Sequence, residues 1–363
     1  MEPRIKHVFP GGNTTVGFYS FYDHILSQDA AIHIFSIKGG PGVGKSSFMK
    51  KIAKRFLELG YDVEKHHCSS DPDSLDGVVI PKLKVALLDG TAPHIVDPVN
   101  PGAVDEILNF GRFWNEDGIR EHRDELVKTN REVSRFFKKG YAYLRAADPI
   151  YKSIKKTEEK ALNRGMLNLK TDYLKTELFS QYEIKKNTGK ERHLFGSAIT
   201  PKGIINYIES ITRDDDDIYI IKDSVGTDTY TLMNELKKSA IIRGFDVECY
   251  HSPIEIDKIE DLLIPDLNIF ITVSNEFHPI SLKAKNTIDL TECLDKTVLS
   301  ELNDELKEDK VVLNNLIDKA MSYIIKAKKL HDRLEEFYIP NMNFDDINDF
   351  LEEIINRILD YNK

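Results

Sequence analysis

The run Ile34–Met49, IFSIKGGPGVGKSSFM, carries the clearest chemistry in the chain. Gly39, Gly44, Lys45 and Ser46 stand at the spacing G-x-x-x-x-G-K-[ST]. Glycines lack a Cβ, so backbone N–H groups can turn inward around an anion. A helix that starts at Lys45 or Ser46 points its positive dipole end at the same place. Lys45 can then reach the β- and γ-phosphates of a nucleotide, and the Ser46 hydroxyl can join a Mg²⁺ shell. The expected phosphate-binding segment is Gly39, Gly40, Pro41, Gly42, Val43, Gly44, Lys45, Ser46 and Ser47.

Such a turn needs a strand before it and a helix after it. AIHIFSI, just ahead, is a short apolar run suited to a buried strand. Behind it Phe48, Ile52, Phe56 and Leu59 recur at helical spacing, with Lys50, Lys51 and Lys54 off that face. Gly60 is placed to end the helix. YDVEKHH (61–67) reads as a second strand and VALLD (85–89) as a fully buried one ending on Asp89. Alternating strands and helices imply a parallel sheet covered on both faces, with ligands at the carboxyl ends of its strands. Asp89 and the glycine-rich turn share that end.

The chain repeats itself. At a shift of 184, residues 31–94 fall on 215–278 without a gap, and 16 of the 64 pairs are identical. KHVF (6–9) is similar to RHLF (192–195) at a shift of 186. This predicts an α/β chain of two tandem units with mainly parallel sheets, each followed by helical segments. The units span 1–185 and 186–363 and face each other within the chain. EIKKNTGKER (183–192) is the expected linker.

Other local expectations follow from pattern. HVFPGGNTTVGF (7–18) reads as a loop, and the stretch from Thr14 as a helix burying Phe18, Phe21, Tyr22 and Ile25. CSSDPDSLDGVVIPKL (68–83) reads as a loop and the start of a helix. Residues 103–182 form a helical arm with a stripe through Leu126, Val133, Phe136, Phe137 and Tyr141, serving as a lid, a dimerising arm or a cover on the sheet. Helices from 295 to 361 bury Leu299, Leu302, Leu306, Leu313, Ile317, Met321 and Ile324. His66, His67 and Cys68 do not make a metal site, because neighbouring side chains on a strand point to opposite faces.

The second unit is degenerate at its turn. The shift sets Asp223 on Gly39, Asp228 on Gly44, Thr229 on Lys45, Tyr230 on Ser46 and Val273 on Asp89. Only Gly226 keeps its place, against Gly42. Two carboxylates repel phosphate at short range, so this copy is expected to bind no Mg–nucleotide. His67 and His251, Asp73 and Asp257, His94 and His278, and Lys38 and Lys222 survive in both copies, which assigns them to packing or to the interface.

Hydrophobic residues make up 41% and charged residues 30%, the balance of a globular chain. A net charge of −10 argues against nucleic acid or an anionic membrane as partner. Three cysteines without C-x-x-C spacing, and a polar start, suit the cytoplasm.

At GGPGVGKSS and VALLD the chain resembles the P-loop NTPase superfamily, these runs standing as Walker A and Walker B. The tandem layout is similar to a family of tandem P-loop ATPases in low-GC Gram-positive bacteria. The resemblance implies ATP or GTP binding with Mg²⁺ held by Ser46 and Asp89, and catalysis by Lys45 and Asp89. It implies a hydrolase with one active site; a small-molecule or nucleotide kinase and a nucleotide-dependent switch are the alternatives. Gly90 stands where many such ATPases carry a catalytic Glu. His94, Asp71, Asp73 and Glu64 are candidates for activating water, and Arg112, Arg120, Arg123 and Arg213 for an arginine supplied in trans. The protein partner stays open.

Overall fold

A computed structural model describes residues 2–91 and 96–361. The first half runs β1 (Ile5–Val8), β2 (Gly11–Thr14), β3 (Gly17–Ser20), β4 (His33–Lys38), α1 (Lys45–Glu58), β5 (Val63–Cys68), β6 (Asp71–Ile80), β7 (Val85–Asp89) and β8 (Asp105–Asn109). Three helices follow: α2 (Glu116–Arg120), α3 (Arg123–Glu158) and α4 (Arg164–Phe179). The second half repeats this with β9 (Glu191–Leu194), β10 (Ser197–Thr200), β11 (Gly203–Asn206), a short α5 (Ile208–Ile211), β12 (Asp217–Lys222), α6 (Thr229–Ile242), β13 (Val247–His251), β14 (Ile259–Ile264), β15 (Ile269–Ser274) and β16 (Asn286–Asp289). It ends in α7 (Lys296–Glu301), α8 (Asn303–Tyr338) and α9 (Phe344–Asp360). No helix among the described residues is long and apolar enough to cross a membrane.

Each half builds a six-stranded sheet in the same order, β1-β5-β6-β7-β4-β8 and β9-β13-β14-β15-β12-β16. All pairings are parallel except those of β6 and β14, which run antiparallel to both neighbours. The sheets are therefore mixed, where alternation of strand and helix predicted parallel ones. The expected loop at 68–83 holds the ten-residue β6, because its second half, LDGVVI, is buried between β5 and β7. The expected helix from Thr14 is also corrected. Thr14 pairs with Gly17 in a hairpin of β2 and β3, and β1 and β2 occupy the stretch read as a loop. Phe21, Tyr22 and Ile25 are buried all the same. Leu59, at the end of α1, is 42% exposed and outside the core.

The helical arms are exchanged. α4, from the first half, lays Leu167, Leu174, Leu178 and Phe179 into the core of the second sheet, against Leu232 and Leu236 of α6. α9, from the second half, lays Ile347, Phe350, Leu351, Ile354, Ile355 and Ile358 into the core of the first sheet, against Phe48 and Ile52 of α1. The crossings are matched. Asn163 N–H donates to Cys293 O at 2.8 Å and Asn343 N–H to Phe113 O at 2.8 Å. α3 and α8, 36 residues each, pair antiparallel: Leu126 and Val133 meet Leu334, while Ala147 and Ile154 meet Leu313 and Leu306. The arm thus joins the halves and covers the opposite sheet.

The sheets meet at β1 and β9, where Phe9 and Phe195 exchange backbone hydrogen bonds of 2.9 and 3.0 Å. Beside them lies a four-charge cluster whose members match at the sequence shifts. Arg192 binds Glu64 at 2.7 Å and Glu248 at 3.3 Å; Lys6 binds Glu64 at 3.3 Å and also Glu248. Burial disfavours the Glu64 carboxylate, but Arg192 and Lys6 outweigh it and hold its pKa well below the usual range. Further along the same strands, His7 Nδ1 meets His67 Nε2 at 2.7 Å, and His193 Nδ1 meets His251 Nε2 at 2.7 Å. Burial pushes His67 down to about 4 and His251 to about 3.

Candidate functional site

The glycine-rich turn links β4 to α1 at the carboxyl end of the first sheet. Gly42 and Gly44 take φ of +68° and +90°, a left-handed conformation that L side chains resist. Val43 between them is buried in the core and anchors the turn. α1 starts at Lys45, and Phe48 N–H closes its first bond to Gly44 O at 2.8 Å. Lys45 folds back over the turn, its Nζ donating to Gly39 O at 3.0 Å and Gly40 O at 2.9 Å. The same Nζ lies 3.5 Å from Asp89 Oδ2.

Asp89 ends β7, which is hydrogen-bonded directly to β4. Its Oδ1 accepts from Thr91 N–H at 2.9 Å, and Thr91 Oγ1 donates to Gly39 O at 2.9 Å. These two bonds fix the carboxylate beside the turn. Ser46 Oγ accepts from Leu75 N–H of β6 at 3.0 Å, which ties the antiparallel strand to the start of α1. Ser47 is exposed, and Gly39, Gly40 and Pro41 are half-buried. The expected residues are thus contiguous, with Lys45 and Asp89 in one cluster.

The second half contributes what the sequence did not reveal. A methyl group placed on Gly40 would lie 2.6 Å from the Tyr338 ring, and one on Gly42 would lie 2.9 Å from Glu335 Cβ. The last turns of α8 therefore rest on the loop, with Phe344 of α9 next to Gly44. Lys328 of α8 lies 3.4 Å from Asp71 Oδ2 and also binds Asp332. Burial raises the Glu335 pKa despite the nearby Lys328 and Lys45. Two of the better-formed surface hollows open elsewhere, one along α3 at Arg131 and Arg135, the other between His33 and Tyr361. Neither is lined by a residue of the loop.

The other candidates divide plainly. Asp71 is at the arm contact just described. Asp73 is exposed and pairs with Lys202, and Glu64 is committed to the four-charge cluster. His94 lies outside the described residues. Arg112 stacks on Phe113 and Phe350. Arg120 and Arg123 pair with Glu116 and Asp124 on the surface, and the exposed Arg213 sits in the acidic turn before β12. None of these four arginines reaches the loop through a described contact. Among the described residues no group of three or more His, Cys, Asp or Glu could hold a metal ion.

The corresponding turn of the second half is filled by side chains. Asp223 is fully buried and accepts from Lys258 Nζ at 2.7 Å, Thr229 Oγ1 at 3.2 Å and Asn275 Nδ2 at 3.2 Å. Asp228, at φ +56°, caps α6 and pairs with Arg164 of α4 at 3.1 Å. Both carboxylates are therefore matched by cations, which offsets the repulsion expected from the sequence. Behind them His278 Nε2 lies 3.0 Å from Asp261 and its Nδ1 lies 3.4 Å from Glu260. Burial opposes a charge on His278, but Asp261 and Glu260 outweigh it and lift its pKa to about 9.

The histidines make opposite contributions to stability. The depressed His67 and His251 stabilise fully above 6.5 and lose that contribution as pH falls toward 4 and 3. The raised His278 stabilises fully below 6.5 and loses its contribution as pH rises toward 9. Each slope is about 1.4 kcal/mol per pH unit at most. His278→Gln should therefore narrow its stability gap to wild type, read as urea midpoints, between pH 6.5 and 9. A gap independent of pH would refute the ion-paired histidine.

Compared with protein-family models, curated proteins and solved structures, the chain matches none.

Proposed function

We propose that the chain is a Mg²⁺-dependent P-loop nucleotide-binding protein that hydrolyses ATP or GTP at one site, in its first half. One observation carries this reading: the left-handed Gly42–Gly44 turn sets Lys45 at the start of α1, with Nζ between the Gly39 and Gly40 carbonyls and Asp89. A buried ammonium held by neutral carbonyls and one carboxylate is suited to a polyphosphate.

The donors present fit Mg²⁺ as nucleotides carry it. Ser46 and Asp89 supply one hydroxyl and one carboxylate, and Mg²⁺ takes its remaining positions from water and phosphate. One lone pair of Ser46 Oγ is taken by Leu75 N–H, which leaves the other for the cation. The ion would neutralise charge on the phosphates. The chain's own work is positioning: loop N–H groups orient the phosphates and Lys45 spreads its charge over the oxygens of the transferred group. Thr91 holds Asp89 and Gly39 in register.

Phosphate release from Mg–ATP and Mg–GTP tests this. Lys45→Ala should lower turnover at least about a hundredfold, as loss of one preorganised donor does elsewhere. Turnover equal to wild type would refute the site. A second reading, a nucleotide-dependent switch, is favoured by the contact of Tyr338 and Glu335 with Gly40 and Gly42, because the arm that rests on the loop also completes the first core. Nucleotide-dependent protease protection of α8, with negligible turnover, would select it.

A further inference from the structure

The two loops differ in what lies against them. In the second half the end of α3, an arm from the first half, reaches into the turn between β12 and α6. Glu158 Oε2 accepts from Gly226 N–H at 2.9 Å and from Ser224 Oγ. Its Oε1 lies 3.6 Å from Lys310 Nζ of α8, and the side chain is 5% exposed. Gly226 is the one loop glycine shared with the first copy, against Gly42, and a methyl group there would lie 2.4 Å from Glu158 Cβ. So the carboxylate sits on the inward N–H of a phosphate-type turn, in the kind of contact an anion would make. Its surroundings suit it: Asp223 is balanced by Lys258 and Asp228 by Arg164, which leaves the Gly226 donor for Glu158, while Lys310 is shared between Glu276 at 3.0 Å and Glu158 at 3.6 Å.

In the first copy Glu335 packs its Cβ and backbone against Gly42, but among the described contacts its carboxylate accepts from no loop N–H. α8 repeats α3 at a shift of 180, and Tyr338 stands at the place of Glu158. The Tyr338 ring rests on Gly40 and offers no carboxylate. Outside the turn both arms are pinned by ion pairs, among them Lys155–Glu255 at 2.7 Å and Lys328–Asp71 at 3.4 Å. The second end adds Lys310–Glu276 at 3.0 Å, and within the turn itself the added group is the Glu158 carboxylate.

We infer that Glu158 is the resident anion of the second loop, a carboxylate from the exchanged helix that closes this site to external phosphate and latches α3 onto the second half. Among the described contacts, the arm over the first loop puts no carboxylate on a loop N–H, and it is the end left to respond to a ligand. Charge-assisted hydrogen bonds to backbone N–H groups are among the stronger local ties, and a donor left unpaired in a buried turn is costly. The inference concerns residues 223–229 and stands whether or not the first loop binds nucleotide.

Hydrogen exchange resolved at residues 224–232 tests it on the full chain, with inorganic phosphate as probe. Glu158→Ala should speed exchange there about tenfold or more, and added phosphate should slow it again, while wild type should not respond to phosphate in this segment. Glu158→Gln keeps an acceptor and loses the charge, so it should fall between and remain folded if the alanine variant does not. Unchanged exchange in both variants would overturn the latch. Faster exchange that phosphate leaves untouched would overturn the assignment of an anion site.

Discussion

Deleting residues 344–363 should abolish the proposed nucleotide binding at Lys45, although the cut lies at the far end of the chain. α9 places Ile347, Phe350, Leu351, Ile354, Ile355 and Ile358 in the core beneath α1 and β4. Burying one such side chain contributes about 1.5–3 kcal/mol, so the six together contribute on the order of 10 kcal/mol. A whole domain is stable by only about 5–15 kcal/mol. Without α9 the first sheet keeps its strands but loses one covering face, and the strand–turn–helix that aims Lys45 loses its support. The truncated chain should show rapid hydrogen exchange through α1 and β4 and no Mg–ATP binding. Ile354→Ala, at a fully buried position, is the graded version and should cost about 2–5 kcal/mol. Wild-type binding by the truncated chain would mean that the first half folds alone and that the exchange of arms is incidental.

Arg192→Met should be the most damaging single substitution at the interface. Arg192 donates to Glu64 and Glu248 and also to the carbonyls of His24 and Ile25 at 2.8 and 2.7 Å. Removing it leaves Lys6 alone against two carboxylates. Breaking a buried pair from one side typically costs about 3–5 kcal/mol, because a charge stays behind without its partner. Equilibrium urea unfolding should register that loss. Adding Glu64→Gln and Glu248→Gln should recover part of it, which loss of packing alone would not allow. A loss below about 1 kcal/mol would place the cluster among ordinary surface ion pairs.

Much of this architecture is legible in the residues. The shift that aligns GYDVEKHH with GFDVECYH also aligns Glu64 with Glu248, which meet across the interface through Lys6 and Arg192. VALLD is a buried strand as its composition says; in AIHIFSI the buried strand begins at His33, and Ile32 is 43% exposed. Gly42 and Gly44 take left-handed conformations that glycine favours. The misses have physical causes. Phe18, Phe21, Tyr22 and Ile25 recur at helical spacing, yet Gly17 at φ +109° turns a hairpin there. DPDS looks like a turn, yet it begins β6, whose burial begins in earnest at Leu75.

The exchange of arms is not readable at all from one sequence. An apolar stripe through Leu167, Leu174 and Leu178 says that α4 is covered, and the stripe is the same whichever sheet covers it. The same holds at the loops. Glu335, Tyr338 and Lys328 lie almost 300 residues from Gly40 in sequence and carry no motif. Asp223 and Asp228 show that the second turn has changed, but Lys258, Arg164 and Glu158, which balance or fill it, come from three other segments.

The proposed function requires one nucleotide site per chain, built on Lys45 and Asp89. Isothermal titration of the intact protein with Mg–ATP tests it most directly. One site per chain is expected in wild type and none in Lys45→Ala. Two sites, or one that survives Lys45→Ala, would contradict it and move the binding chemistry to the loop that holds Glu158.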